Sequence, residues 1–167
     1  MTSDTTPSGI SSSSDGTLEW PYLAFDHDPG VSGAVFALAT LPAWLQYQFD
    51  TPKVIVSYTV AAHVVATQVG PKAWSLSGSN NGVDFTTLDS QTAQTGWTDE
   101  ETREFDIATP GAYAYYRLTV TAAATEDDGA AVGYSVSEIE LLGGDPCTVT
   151  VFDAPIADAS PLPDSEV

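Results

Sequence analysis

Hydrophobic and polar residues alternate along a series of short segments that are separated by turn-forming residues. An alternation with a period of two is typical of a β-strand that buries one face. No segment has the pattern of an amphipathic helix of ordinary length. Many short strands with regular turn signals predict an antiparallel β-sandwich or barrel. The predicted strands lie at residues 44–49, 53–61, 73–78, 83–88, 103–108, 113–121 and 134–142.

The segment 74–89 shows this pattern most clearly. Trp and Leu alternate with Ser, a polar break Gly-Ser-Asn-Asn-Gly follows, and apolar residues resume through Phe85 and Leu88. Asn81 and Gly82 form a strong hairpin signal because both tolerate a positive φ. The segment is therefore predicted to be a β-hairpin with one face on a core.

The chain length and composition predict one folded domain between two extensions. The chain has 167 residues, and 43% of them are hydrophobic, which excludes a disordered acidic polymer. Residues 1–19 are rich in Ser, Thr and Gly and are predicted to be a flexible segment, with a possible role in attachment. Residues 20–144 carry the strand pattern. Residues 145–167 add one possible further strand and an acidic, Pro-rich tail.

The charge of the chain restricts its partners. It carries 23 acidic and four basic residues, a net charge of −19. Such a surface repels phosphate backbones and anionic lipid, so nucleic acid is not an expected partner. No apolar run reaches the roughly 20 residues that membrane insertion needs. The acidic residues either keep the protein soluble or, in part, bind a hard cation such as Ca²⁺.

The motifs of common enzymes are missing from the sequence, and the chain is predicted not to be an enzyme. It has no nucleophile elbow, no zinc-protease motif, no P-loop and no dinucleotide-binding motif. His27 and His63 are its only histidines, and Cys147 is its only cysteine, which excludes an internal disulfide and a cysteine zinc cluster. A glycosidase that uses a pair of carboxylates is the alternative, but with 23 acidic residues an accidental pair is expected.

A loop near the start of the pattern carries the best candidate for metal binding. Asp26 and Asp28 have the spacing D-x-D-x-G, which can turn two oxygens toward one point, and Gly30 lets backbone carbonyls join them. The alternative is an Asx-type turn without metal, and the spacing alone leaves both open. For the second acidic turn, residues 125–129, the turn without metal is favoured.

Four tryptophans are many for a small β-domain. Trp44 and Trp74 fall within predicted strands and are predicted to be core residues. Trp97 lies in a loop, where it could stack on the apolar face of a sugar or cover the end of the barrel. Both alternatives remain open at this point.

The order of several segments resembles the discoidin family, also called coagulation factor 5/8 C-type or galactose-binding-like domains. The segments are Ala-Phe-Asp at 24–26, the stretch 42–60, the hairpin 71–89, the strand 113–122 and Ser-Glu-Ile-Glu-Leu at 137–141. The resemblance covers about residues 20–144. It implies an antiparallel, eight-stranded jelly-roll β-sandwich with its chain ends close together. It also implies that the hairpin is scaffold, with Trp74, Leu76, Phe85 and Leu88 in the core.

The same resemblance implies a structural Ca²⁺ between the early Asp loop and the last strand. Carried over residue by residue, the ligands would be the Asp26 and Glu138 carboxylates, the Leu23, Asp28 and Ser137 carbonyls and the Ser32 hydroxyl. The family usually has Gly where this chain has His27, and the pattern around Ser32 also departs from the family. The family binds its ligands with variable loops at one end of the sandwich. Trp97, Asp99 and His27 are the candidate ligand-binding residues here.

The resemblance also suggests the function that we expect. Sugar-binding modules appended to glycosidases belong to the family, so we expect a non-catalytic module that recognises surface carbohydrate. Residues 1–19 lack the basic and apolar regions of a secretory signal. We therefore expect synthesis in the cytoplasm and display on a phage or phage-like virion, as part of an oligomer or multi-protein complex. The alternatives are a structural adaptor domain that binds protein, and an accessory module of a glycosidase.

Overall fold

Short strands account for most of the computed structural model, which describes residues 9–14, 21–27, 41–64, 68–124 and 133–144. A 3₁₀ helix covers Pro21–Phe25. The strands of the described part are β1 (Ile10–Ser13), β2 (Ala43–Ala62), β3 (Gln68–Val69), β4 (Pro71–Ser79), β5 (Thr86–Gln91), β6 (Glu101–Asp106), β7 (Ala112–Ala123), β8 (Gly133–Tyr134) and β9 (Glu138–Gly143). None of the described helices is long and apolar enough to cross a membrane.

Two antiparallel sheets share the long strand β2. The five-stranded sheet has the order β1-β2-β7-β4-β5 and uses residues 43–54 of β2. The three-stranded sheet has the order β6-β2-β9 and uses residues 55–62 of β2. The register between β2 and β7 shifts between Gln48 and Lys53, where β2 passes from one sheet to the other. This architecture confirms the predicted antiparallel β-sandwich.

The core lies between the two sheets, and alternation along the strands selects its residues. Leu45 and Tyr47 from the five-stranded sheet and Tyr58 and Val60 from the three-stranded sheet are at most 2% exposed. A polar chain also joins the sheets: Trp74 Nε1 donates to Tyr58 Oη at 2.9 Å, and Tyr58 Oη donates to Asp89 Oδ2 at 2.6 Å. Because these hydroxyl and indole groups are paired, the core contains them at little cost.

The hairpin between β4 and β5 is scaffold, as the resemblance implies. Gly82 has a φ of 71°, and Asn81 Oδ1 accepts hydrogen bonds from the backbone of Val83 and Asp84. Trp74 and Leu76 are buried and Leu88 packs against the core, which confirms their predicted placement.

The predicted core positions of Phe85 and Trp44 are wrong. Phe85 lies on the outside of the five-stranded sheet, where the Arg117 guanidinium is 4.0 Å from its ring centroid. Trp44 alternates with the buried residues Ala43 and Leu45, so it also faces outward. A period-two reading of β2 alone places Trp44 on the face opposite to Leu45.

Several predicted boundaries also change. Residues 10–13, assigned by the sequence to a flexible segment, form β1 and pair with β2, so the sandwich begins before residue 20. The predicted strands 44–49 and 53–61 are one strand, because β2 continues through Asp50, Thr51 and Pro52 as it changes sheets. The predicted strand 83–88 is shifted to β5, and the predicted strand 134–142 is broken before Glu138. Residues 145–167 lie outside the described residues.

Candidate functional site

The sequence-predicted site residues that the structure describes lie at one end of the sandwich, which we call the loop end. It consists of residues 26–27, the end of β2 with His63 and Val64, the loop 92–100 and the start of β9 at Glu138. Glu138 pairs with Ala61 on one side of β2, and Thr102 pairs with Ala61 on the other. Glu138 and Thr102 are therefore about two strand spacings apart, roughly 10 Å.

Glu138 is the most unusual group at the loop end. It is 3% exposed, and both of its side-chain oxygens are buried without a hydrogen bond of normal geometry among the described residues. Burial raises the pKa of Glu138, the nearby Asp26 carboxylate adds to the rise, and the backbone N–H of His27 opposes it, so that the pKa lies at about 8. Two carboxylates held together in this way need a proton or a cation between them.

These residues fit the calcium site that the resemblance implies. The Glu138 carboxylate is buried and directed at Asp26, and oxygens from carboxylates, carbonyls and hydroxyls are what Ca²⁺ prefers. The hydroxyl of the preceding residue, Ser137, is also buried and has no hydrogen-bond partner among the described residues. Leu23 belongs to the 3₁₀ helix that leads into Asp26. The predicted ligands Asp28 and Ser32 lie outside the described residues.

The described residues alone do not complete a metal site. Within them, no group of three or more His, Cys, Asp or Glu side chains is arranged to hold a metal ion. Asp26 and Glu138 supply two carboxylates, so further ligands would have to be backbone carbonyls, hydroxyls or water.

His27 lies beside the Asp26 and Glu138 carboxylates. Its φ is 64°, a left-handed conformation that explains why the resembling family usually has Gly at this position. Its Nδ1 is 2.8 Å from Glu140 Oε1, which is the next outward residue of β9 after Glu138. The imidazole therefore joins the Asp26 loop to β9, and its role in ligand binding stays a prediction.

The Trp97 side chain is buried within the loop end. Its side chain is 8% exposed, Nε1 donates to the Pro71 carbonyl at 2.8 Å, and the Arg103 guanidinium lies 4.0 Å from the ring centroid. A Cβ at Gly70 would clash with the indole, so the chain keeps Gly at this contact. The burial favours the covering alternative for Trp97 over sugar stacking.

Asp99 is the predicted ligand-binding residue that is accessible. Its side chain is 51% exposed, and Oδ1 accepts a hydrogen bond from the Val64 backbone at 3.0 Å. The same oxygen lies 2.9 Å from Nδ1 of the buried His63. Asp99 thus joins the loop 92–100 to the end of β2, and its other oxygen is available to a hydroxyl group.

Arg103 is a structural residue of the loop end that the sequence did not indicate. Its guanidinium donates to the carbonyls of Thr95 and Gly96 and to the Gln94 side chain, besides stacking on Trp97. These contacts fix the backbone of the loop 92–100, which also carries Asp99. Only the scarcity of basic residues in the chain could have marked Arg103 in advance.

Comparison with known proteins gives similarity at the level of structure. No protein-family model and no curated protein sequence matches the chain. The structure is similar to chitosan-binding module 2 of a chitosanase/glucanase from Paenibacillus sp. IK-5, solved with chitotriose. The identity is 17%, the TM-score is 0.62, and the match covers 81% of this chain and 97% of that module.

Two further solved structures show the same likeness. One is an F5/8 type C domain from Bacteroides fragilis, with 14% identity, a TM-score of 0.59 and coverage of 80% of this chain and 89% of that domain. The other is the family 32 carbohydrate-binding module of NanJ from Clostridium perfringens, solved with galactose. It has 14% identity, a TM-score of 0.58 and coverage of 80% and 93%. The chain therefore has the discoidin-like β-sandwich fold of these modules.

Proposed function

We propose that the protein is a non-catalytic carbohydrate-binding module. The observation that carries this proposal is the likeness over about four fifths of the chain to modules solved with chitotriose and with galactose. The loop end supports it, because the contacts of Arg103 with Thr95 and Trp97 fix the loop that carries the accessible Asp99 carboxylate. A preorganised polar group binds a sugar hydroxyl without a large ordering cost.

The second part of the proposal is a structural Ca²⁺ at the loop end. Asp26 and Glu138 would supply carboxylates, joined by the predicted ligands Leu23, Asp28, Ser32 and Ser137. A cation there would relieve the repulsion between the two carboxylates and hold the Asp26 loop against β9. It would hold the scaffold of the loop end without contacting the sugar.

The charge of the chain narrows the class of glycan. With a net charge of −19, the surface repels polyanionic glycans such as pectin, which another structurally similar module binds. An uncharged or amino-bearing glycan does not meet this repulsion.

We also propose that the module acts as part of a larger particle, a phage or phage-like virion that it helps to attach to host glycans. The high negative charge supports this, because it keeps many displayed copies apart. An accessory role on a glycosidase is the second candidate, since the similar chitosan-binding module comes from a chitosanase/glucanase. Purified particles that retain the full chain, but lose it when residues 145–167 are deleted, would support display. Unchanged incorporation would contradict it.

Affinity gel electrophoresis tests the carbohydrate proposal. The full chain is run through gels that contain chitosan, galactomannan or pectin, each with calcium and with chelator. We expect retardation by at least one non-anionic polysaccharide, and its loss in Asp99→Ala. Asp50→Ala, which removes an exposed carboxylate outside the loop end, is the matched control and should migrate like the original chain. No retardation in any gel contradicts the proposal.

A further inference from the structure

The outward side of the five-stranded sheet carries fewer acidic residues than the composition of the chain suggests. The described registers give outward positions on β1, β2, β7, β4 and β5, which include Ile10, Ser12, Trp44, Gln46, Gln48, Tyr115, Arg117, Thr119, Ser75, Ser77, Ser79, Thr87 and Ser90. Two of these residues, Ser77 and Ser79, are buried, at 8% and 1% exposure. None of these residues is acidic, although the chain has 23 acidic residues. We call this surface the neutral face.

Arg117 organises the centre of the neutral face. Its Nε and Nη2 both donate to Gln46 Oε1, at 3.0 and 2.7 Å. The Arg117 guanidinium carbon lies 4.3 Å from the ring centroid of Trp44 on β2. It lies 4.0 Å from the ring centroid of Phe85, which is on the opposite side of β7. Burial lowers the pKa of Arg117, and the guanidinium makes no ion pair with any described carboxylate. The Arg117 guanidinium is thus fixed by the Gln46 amide and by the two rings before any ligand binds.

The surroundings of Arg117 offer neutral hydrogen-bonding groups. Gln48, Ser75 and Thr119 are partly exposed and make no side-chain hydrogen bond to a described residue, and Tyr115 lies one row along the sheet. Ile10 lies on the edge strand β1 and is an exposed large hydrophobic residue of the neutral face. The face therefore combines the Trp44 and Phe85 rings with neutral hydrogen-bonding groups.

This chemistry suits an uncharged sugar chain. Aromatic rings pack against the apolar faces of sugar rings, while amide and hydroxyl groups bind sugar hydroxyls. A polyanionic chain would be repelled by the rest of the molecule, and an amino sugar would face the Arg117 cation. The remaining class is a neutral glycan, long enough to cross several strands about 4.8 Å apart.

We propose that a linear, uncharged polysaccharide binds along the neutral face across Trp44, Arg117 and Phe85, as a second contact surface besides the loop end. This inference rests on the proposed carbohydrate-binding function and names its ligand class. Two contact surfaces on one polymer raise the retention of the module, because the second contact forms at a high effective concentration. A short oligosaccharide would occupy the loop end alone.

The test places one carboxylate on the neutral face and one on the opposite sheet. Thr119→Glu adds an acidic side chain beside Trp44, and Thr102→Glu adds the same group to the exposed outward side of β6. Retention is measured by affinity gel electrophoresis with galactomannan, soluble β-1,3-glucan and hydroxyethyl cellulose. Trisaccharide binding is measured by calorimetry. Gln48→Glu is a second neutral-face variant, used if Thr119→Glu fails to fold by circular dichroism.

We expect the neutral-face variant to lose at least about tenfold in polysaccharide retention, with trisaccharide binding unchanged and Thr102→Glu unaffected. Full retention in both neutral-face variants overturns the neutral-face site and leaves the loop-end function standing. An equal loss in Thr102→Glu overturns it as well, since general repulsion then explains the result. If the original chain binds no glycan at all, the proposed function fails, and this inference fails with it.

Discussion

The outward sides of the two sheets are built on the same strand, yet they differ in chemistry. Outward positions of the three-stranded sheet include Glu104, Asp106, Glu138 and Glu140 around the central residues Ser57 and Thr59. The described positions of the neutral face carry no carboxylate and a single guanidinium. A net charge of −19 is therefore not spread evenly over the molecule, and local composition decides which ligands each face admits.

The partners of the charged groups differ as well. On the three-stranded sheet, Glu104 accepts a hydrogen bond from Ser57, Glu140 contacts His27, and Glu138 is buried beside Asp26. On the neutral face, Arg117 is held by an amide and two rings. The carboxylates of the three-stranded sheet attract a cation. The Arg117 guanidinium of the neutral face makes no ion pair with a described carboxylate. The predictions below test this division, from the largest expected effect to the smallest.

Glu138 should make the metal-free protein lose stability as the pH rises. Its pKa is raised from 4.5 to about 8 in the folded protein, so the folded state holds a proton that the unfolded state releases between these values. Its contribution is complete below pH 4.5 and is lost as the pH rises through about 8. At about 1.4 kcal/mol per pKa unit, the loss is of the order of several kcal/mol.

Glu138→Gln isolates this effect, because the amide keeps the shape of the carboxyl group and does not titrate. Urea unfolding in chelator from pH 4.5 to 9 should show a shallower pH dependence for this variant than for the original chain. Glu104→Gln, on the exposed part of the same sheet, is the matched control. If both variants flatten the curve equally, general charge repulsion and not the burial of Glu138 is responsible.

Calcium should stabilise the original chain by a smaller amount. A ligand at 100 times its Kd adds about 2.7 kcal/mol to the free energy of unfolding, and Asp26→Asn and Glu138→Gln should each remove this gain. Thermal melting with calcium and with chelator measures it, and Glu104→Gln should respond like the original chain. An unchanged midpoint in calcium, with no metal found by elemental analysis, would contradict the site.

Replacing Arg117 should test the neutral face through stability. Arg117→Met removes two ring contacts and the bonds to Gln46, so we expect a loss of about 1–2 kcal/mol, since each cation–π contact contributes roughly 0.5–1 kcal/mol. Lys53→Met removes the same charge from an exposed site and is the control. Equal losses in urea unfolding would show that net charge, not the arrangement around Arg117, sets the effect.

The smallest effect is expected at His27. His27→Gly relieves a left-handed conformation that costs a non-Gly residue roughly 1 kcal/mol, but it also removes the contact with Glu140. We expect the two terms to nearly cancel in the original chain. In a Glu140→Gln background the contact is already weakened, so the same substitution should stabilise the protein. A double-mutant cycle by urea unfolding measures the difference, and identical effects in both backgrounds would contradict the role of the contact.

The sandwich could be predicted from the sequence because period-two alternation and turn residues reflect the strands directly. The hairpin 74–89 shows this, with its turn at Asn81 and Gly82. The sheet change of β2 could not be predicted, since residues 50–52 have the composition of a turn. Only the structure shows that the strand continues through them, with a register shift at this point.

The site was harder to predict than the fold. Asp26 and Glu138 are 112 positions apart, and only the family resemblance joined them before the structure placed them together. Trp97 had two open interpretations because burial in a loop depends on the neighbours Gly70 and Arg103. The neutral face was missed because Trp44 was assigned to the core as a tryptophan within a strand and Phe85 was assigned to it by the family resemblance, not by their positions in the alternation.

A nuclear magnetic resonance titration of the isotope-labelled full chain tests carbohydrate recognition most directly. The backbone amide spectrum is followed while an uncharged oligosaccharide or a short galactomannan fragment is added, in the presence of calcium. The account predicts shifts at the loop end, around Val64 and Asp99, and with the longer fragment also along the outward residues of β2 and β7 near Trp44 and Arg117. A spectrum that no glycan changes, or shifts confined to the outward residues of β6 and β9, would contradict it.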